Sequence, residues 1–300
     1  MKKSNITKSF GILLSGLAMV LSLSGCDRGS VTTSIVDGTT DEYGLTASAH
    51  GNRMFLAVHN KMIADHTNYI TYNRVNYYLS DHGDVKSTDT YGKDTSKNVL
   101  FYTGKVVSKG TSYTREHVWA CANSNGMWTH NKSDGAYYVD GSGYKGGGSD
   151  LYHIRPCDSA VNTFRGNGKF YEFSENEKYY EHGDGGPYTI KSDKEGDYGT
   201  KIEPADEYKG DIARILMYIY VHYSKVGVTN DYTGSLKLTD VFNSGYSEQQ
   251  IKDLMVKWNE LDPVDETEKL RNDNVEKIQG NRNPFVDHPD YMARIFDNGN

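Results

Sequence analysis

YTREHVWAC (Tyr113–Cys121) and DLYHIRPCDSAVNTFRGNGKF (Asp150–Phe170) are the two stretches on which the fold turns. In the first, a carboxylate and an imidazole, Glu116 and His117, stand side by side. Neighbours on a flat strand point to opposite faces, so the pair can serve one place only from a strand end or a bend. In the second, Asn162 and Arg165 are one helical turn apart and can share a face.

Around these stretches the chain is ordinary in bulk and uneven in detail. Its 300 residues allow one large domain or two small ones, and 36% hydrophobic and 12% aromatic residues suffice for a packed core. The 24 tyrosines suit an exported protein but identify no activity. A net charge of −7 is not that of a nucleic-acid binder working by charge alone. Between Lys97 and Lys169, however, nine Lys/Arg stand against five Asp/Glu. A basic middle in an acidic protein fits a phosphate-facing cleft; solvated charge without purpose is the plainer alternative.

The N-terminus reads as a targeting segment. Lys2, Lys3 and Lys8 precede an apolar run, Phe10–Leu23, too short to span a bilayer. LSGC (Leu23–Cys26) resembles the lipobox of bacterial lipoproteins. That resemblance implies a signal peptide over 1–25, acylation of Cys26, and an exported protein anchored by lipid to the bacterial membrane, periplasmic or at the cell surface. Residues 26–43 are polar and rich in Ser and Thr, a tether; residues 44–300 follow as one domain, without internal repeats.

Helices are expected over Asn52–His66, where Phe55, Val58, Met62 and Ile63 stand near helical spacing, and over Gly210–Tyr223, with Ile212, Ile215, Leu216 and Ile219 inward. Another starts at Ser247 with Gln250 completing a capping box, and a third runs from Asp262-Pro263 to Gly280. Short β-type runs such as YITY and NVLFYTGKVV lie between Tyr69 and Val107, and VDGSGYKGGGSD (Val139–Asp150) reads as a flexible surface loop. Strands in the middle and helices toward the C-terminus make the fold class α+β.

REHVW followed by DLYHIRP and VNTFRGN resembles the bacterial endonuclease I family, nucleases of the ββα-metal (His-Me) finger type. FLAVHNKM, ITYNRV, KGDIARILMYIYVHY and WNELDPVDETEKLRNDNVEKIQGNRNPFVDHP continue the likeness, which covers roughly Gly44–Pro289. The resemblance implies a ββα-metal finger core and sequence-nonspecific hydrolysis of DNA, and of RNA as well, leaving 5′-phosphate ends. It also implies His117 as general base and Glu116 and Asn162 as ligands of Mg²⁺, with Mn²⁺ as a substitute. The chemistry of the residues agrees. Mg²⁺ takes oxygen ligands and needs few from the protein, and a neutral imidazole can accept a proton from water. Arg165 would bind phosphate or stabilise transition-state charge, against an ordinary structural ion pair; Arg115 fits a structural role better.

The chain departs from the family's pattern where Tyr152, His153 and Ala120 replace the usual histidine, asparagine and proline, and no role is carried over to them. If the finger folds as the resemblance implies, Cys121 and Cys157 come close enough to form a disulfide, with two separate thiols as the alternative. Three rival readings remain: a zinc site at His117, His130 and His153; a non-catalytic surface lipoprotein binding nucleic acid or glycans; and a toxin-like nuclease with an inhibitor. No protein partner is evident in the sequence.

Overall fold

The computed structural model describes residues 40–79, 90–91, 94–123, 137–139, 143–196, 199–224 and 236–297. Residues 1–25, expected to be a signal peptide, Cys26, most of the expected tether and His130 lie outside them. The end of the tether is packed: Asp41 accepts the amides of Tyr43 and Leu45 at 2.9 Å each, and Tyr43 meets His288 and Tyr291 edge-on.

Helix α1 (Gly51–Asp65) turns Met54, Val58 and Met62 into the core at four-residue intervals. Ile63 lies about 100° round the helix from Met62 and is 44% exposed. The YITY region is not a strand. Tyr72–Arg74 is a 3-10 turn leading into α2 (Val75–Leu79), because Val75 and Leu79, four apart and fully buried, follow helical spacing.

β1 (Thr90–Tyr91), β2 (Asp94–Leu100) and β3 (Lys105–Ser108) form an antiparallel sheet in that order. In the β2–β3 turn Tyr102 takes φ 69°, a left-handed conformation unusual for a side chain of its size. The end of β2 docks on β7 (Ile154–Cys157), where Phe101 N–H donates to Pro156 O at 2.8 Å. β7 pairs antiparallel with β4 (Thr114–His117), matching His117 to Ile154 and Glu116 to Arg155. Helix α3 (Ser159–Arg165) follows at once, capped by the Asp158 carboxylate, which accepts Ala160 N–H at 2.8 Å, and ended by Gly166. β4, β7 and α3 are the two strands and helix of the finger. β5 (Tyr137–Val139) and β6 (Gly143–Lys145) make a hairpin between the strands.

β8 (Lys169–Phe170), β9 (Tyr180–His182), β10 (Ile190–Ser192) and β11 (Lys201–Glu203) build a second sheet in the order β8-β11-β10-β9. The C-terminal part is helical: α4 (Asp206–Tyr223), α5 (Glu248–Leu261), α6 (Glu266–Gln279), α7 (Pro284–Asp287) and α8 (Tyr291–Phe296). α4 starts four residues earlier than its apolar pattern suggests, with Asp206 and Glu207 favourably placed against the helix dipole. It is buried on nearly all sides, and Ile212, Leu216 and Ile219 each contribute roughly 1.5–3 kcal/mol of burial. At Gly210 a Cβ would meet Asp262 O at 1.9 Å, so only glycine lets α4 approach the end of α5. The Ser247–Gln250 capping box forms as expected. α6 begins at Glu266, capped by Asp265, because Asp262 instead ends α5 and accepts Gly210 N–H at 2.9 Å. Gly280, at φ 93°, closes α6. The fold is α+β, and no described helix is long and apolar enough to cross a membrane.

Candidate active site

β4 divides the motif residues between its faces. Thr114 and Glu116 look toward α3, Arg115 and His117 toward the Tyr72 turn. Glu116 is 3% exposed. It accepts Tyr102 O–H at 2.6 Å and lies 3.1 Å from Arg165 Nε. Burial pushes its carboxyl above the ordinary value, and Arg165 and the Tyr102 hydroxyl oppose that shift. Asn162, on α3, donates its amide N–H to Thr114 Oγ1 at 2.9 Å and to Arg115 O at 3.4 Å. Thr114 spends its hydroxyl proton on Cys157 O at 3.2 Å, so it must accept from Asn162. That fixes the amide: nitrogen toward β4, carbonyl oxygen away from it.

His117 ends β4, the strand end that a shared Glu–His site requires. Its ring stacks on Tyr72 at 5.8 Å, and Nε2–H donates to Gly148 O at 2.9 Å. A carbonyl only accepts, so Nε2 carries the proton and Nδ1 the lone pair. Burial, opposed by the bond to Gly148 O and aided by Arg115 and Arg165, pushes the imidazole down to about 4. His117 is therefore neutral at pH 7, the state a general base requires.

Glu116 and Asn162 supply a carboxylate and an amide oxygen. Both are hard donors that fit a cation such as Mg²⁺ and not one that prefers thiolate or imidazole. A second grouping has a different donor set: His66, Asp150 and His222, all buried, offer ligand atoms within 4.8 Å of one another, with His66 Nδ1 and His222 Nε2 hydrogen-bonded to each other at 2.9 Å. Its two nitrogens suit zinc better than Mg²⁺. Asp150 already accepts Tyr152 N–H at 2.8 Å, Gln279 at 3.1 Å, Tyr218 at 2.8 Å and Tyr223 at 2.7 Å.

Several expectations change on inspection. Arg165 does not face solvent: at 1% exposure its guanidinium donates to Val118 O at 2.6 Å and Gly166 O at 2.7 Å beside Glu116. Two of its nitrogens bind backbone carbonyls, and Nε makes no hydrogen bond of its own although it lies 3.1 Å from Glu116 Oε1, so the guanidinium ties the exit of β4 to α3. Arg115 lies over the Tyr72 ring at 3.7 Å and donates to Tyr72 O, a structural role. Lys105 pairs with Asp184 and Asp158, and Arg155 lies over Phe101, so much of the basic middle is consumed internally. The expected Cys121–Cys157 bridge is not formed. Cys157, the last residue of β7, is a free, fully buried thiol whose sulfur lies 3.8 Å from Phe101 O, and it packs as a small hydrophobe. Cys121 opens the short turn Cys121–Asn123. The zinc reading also fails at His153: Nδ1 donates to Gly147 O and Nε2 accepts Trp119 N–H, both at 2.9 Å, leaving neither nitrogen for a metal.

Tyr102, Tyr72 and Gly148 were not legible as site residues. Tyr102 reaches Glu116 through a left-handed turn that no local pattern announces. Gly146–Asp150, read as flexible surface, is a buried turn whose small residues let backbone carbonyls approach two histidines.

The comparisons with known proteins accord with this arrangement. The family model for Endonuclease I matches residues 54–290. The extracellular ribonuclease of Bacillus subtilis (strain 168) is 34% identical over 71% of this chain and 66% of its own length. The extracellular ribonuclease of Bacillus amyloliquefaciens is 32% identical over 86% of this chain and 78% of its own. Endonuclease-1 of Buchnera aphidicola subsp. Baizongia pistaciae (strain Bp) is 27% identical over 57% and 60%. With strands, helix and Glu–His–Asn set in the order that the family match spans, the chain belongs to the Endonuclease I family and is a nuclease.

Proposed function

We propose that the protein is a metal-dependent, sequence-nonspecific endonuclease that hydrolyses phosphodiester bonds of DNA and RNA. The observation that carries this reading is the Nε2–H bond from His117 to Gly148 O, which leaves Nδ1 of a neutral imidazole to act as base. Nδ1 accepts a proton from the attacking water. Asn162, its amide nitrogen tied to Thr114, and Glu116, braced by Tyr102 and Arg165, are the metal ligands. A bound Mg²⁺ would neutralise charge growing on the phosphate and on the departing oxygen. Two relatives bear the name ribonuclease and one endonuclease, which supports a choice of both nucleic acids.

Export is supported by the relatives named extracellular. Lipid anchoring at Cys26 belongs to the same proposal, and Cys26→Ser should move the protein from the membrane to the soluble fraction. The activity is tested by incubating the purified mature protein with plasmid and with structured RNA, each with Mg²⁺, Mn²⁺ or EDTA. Both substrates should be cut with Mg²⁺ and neither with EDTA. Glu116→Ala and Asn162→Ala should recover part of their lost rate at high Mg²⁺. Undiminished cleavage in EDTA would overturn the metal requirement, and cleavage of RNA alone would remove DNA as a substrate.

A further inference from the structure

His153 has no exposure at all, yet it is neither a ligand nor simple filling. It lies next to His117, with ring centroids 5.4 Å apart. Its Nε2 accepts the backbone N–H of Trp119, two residues beyond His117, at 2.9 Å. Its Nδ1–H donates to Gly147 O, the carbonyl before the one that receives His117, also at 2.9 Å. A closed circuit results. It runs from His117 through Val118 to Trp119, across the His153 ring to Gly147, along one peptide to Gly148 O, and back to His117 Nε2. The same turn is fastened from outside, where Ser149 Oγ donates to Ile70 O at 2.7 Å.

Both bonds of His153 specify its own form. A backbone N–H must meet a lone pair and a carbonyl must meet a proton, so His153 is neutral with its proton on Nδ1. The two neighbouring histidines therefore hold opposite tautomers, Nδ1–H in His153 and Nε2–H in His117.

We propose that His153 is a positioning residue: by clamping the Gly147–Gly148 turn to the exit of β4, it aims the Gly148 carbonyl that orients His117 and keeps its lone pair on Nδ1. The inference rests on reading His117 as the base. The turn needs such a clamp because three consecutive glycines, Gly146–Gly148, offer no side chain to hold it. Without the clamp the carbonyl drifts, the ring swings with it, and small displacements of a reacting group are costly to rate.

Side-chain ¹⁵N NMR of the metal-free wild-type protein tests the claim without substrate. His117 should show the Nε2–H signature and His153 the rarer Nδ1–H signature; any other pairing overturns it. Two variants then separate positioning from packing. His153→Leu keeps an apolar plug but loses both bonds, and should lower kcat about 10–100-fold with little change in KM, while His117 loses its single-tautomer signature. His153→Gln offers a donor and an acceptor side by side, and should restore much of both. A folded Leu variant with wild-type kcat and an unchanged His117 spectrum would overturn the proposal. Should the Leu variant not fold, the wild-type spectrum and the Gln variant still decide it. If His117→Ala cleaved normally while the paired tautomers were present, the reading of His117 as base would fail and the clamp would stand.

Discussion

Two histidine–carboxylate groupings lie on either side of one segment. Asp150 belongs to the cluster with His66 and His222; three residues later His153 serves the finger with His117. In the cluster both carboxylate oxygens of Asp150 are occupied, by two tyrosine hydroxyls, an amide side chain and a backbone N–H. Burial alone would push that carboxyl up, but the neighbouring histidines and tyrosine hydroxyls outweigh it and hold the carboxyl below its ordinary value. In the finger, Asn162 commits only its nitrogen and His117 is held through Nε2, with the lone pair on Nδ1. In the cluster the carboxylate is spent on the fold, whereas Asn162 in the finger turns its carbonyl oxygen away from β4. Residue type alone does not separate the two.

That contrast can be broken by stability measurements. Asp150→Ala strands several buried donors at once and should cost roughly 5 kcal/mol, enough to bring a domain of ordinary stability near unfolding. Urea titration followed by circular dichroism reads it directly. Arg165→Leu leaves Glu116 buried without its cation and should cost about 3–4 kcal/mol. If that variant kept its stability while binding of an uncleavable oligonucleotide weakened, Arg165 would be a phosphate contact after all.

Acid should act on the buried histidines. Burial pushes His222 and His153 down to about 3. In the unfolded chain each takes a proton near pH 6.5. Folding then favours the deprotonated form, so this stability is fully present above about pH 6.5 and is lost as pH falls toward 3, by up to about 1.4 kcal/mol per pH unit for each histidine. His222→Gln should remove one histidine's share of that slope between pH 6 and 4; an unchanged slope would mean that His222 titrates normally. The smallest effect belongs to the surface. Lys61→Ala breaks an i,i+4 pair with Asp65 that is more than a third exposed, and should change stability by less than about 0.5 kcal/mol.

Much of the frame was legible because its signals are local. The Ser247 cap, the Gly280 stop and the apolar stripe of α4 each declare themselves within a few residues. Glu116, His117 and Asn162 could be proposed as a set only through the family's ordered motifs, since nothing local joins residues on a strand and a helix so far apart. What stayed hidden depends on distant partners. Nothing local tells that Glu116 and Val118 stand against the Arg165 guanidinium. Gly146–Asp150 looked like loose surface because glycines suit mobility and close packing equally. Cys157 looked like half of a bridge because sequence proximity to the site says nothing about what its sulfur faces.

The central claim is that the finger is the reacting site and His117 its base. The most direct measurement is single-turnover cleavage of plasmid by His117→Ala at saturating Mg²⁺, with the melting temperature and Mg²⁺ affinity recorded alongside. The account predicts a fall of roughly 10²–10⁴-fold in rate, with folding and metal affinity close to wild type. Cleavage at the wild-type rate would contradict it, and loss of Mg²⁺ binding in the variant would make His117 a ligand rather than a base.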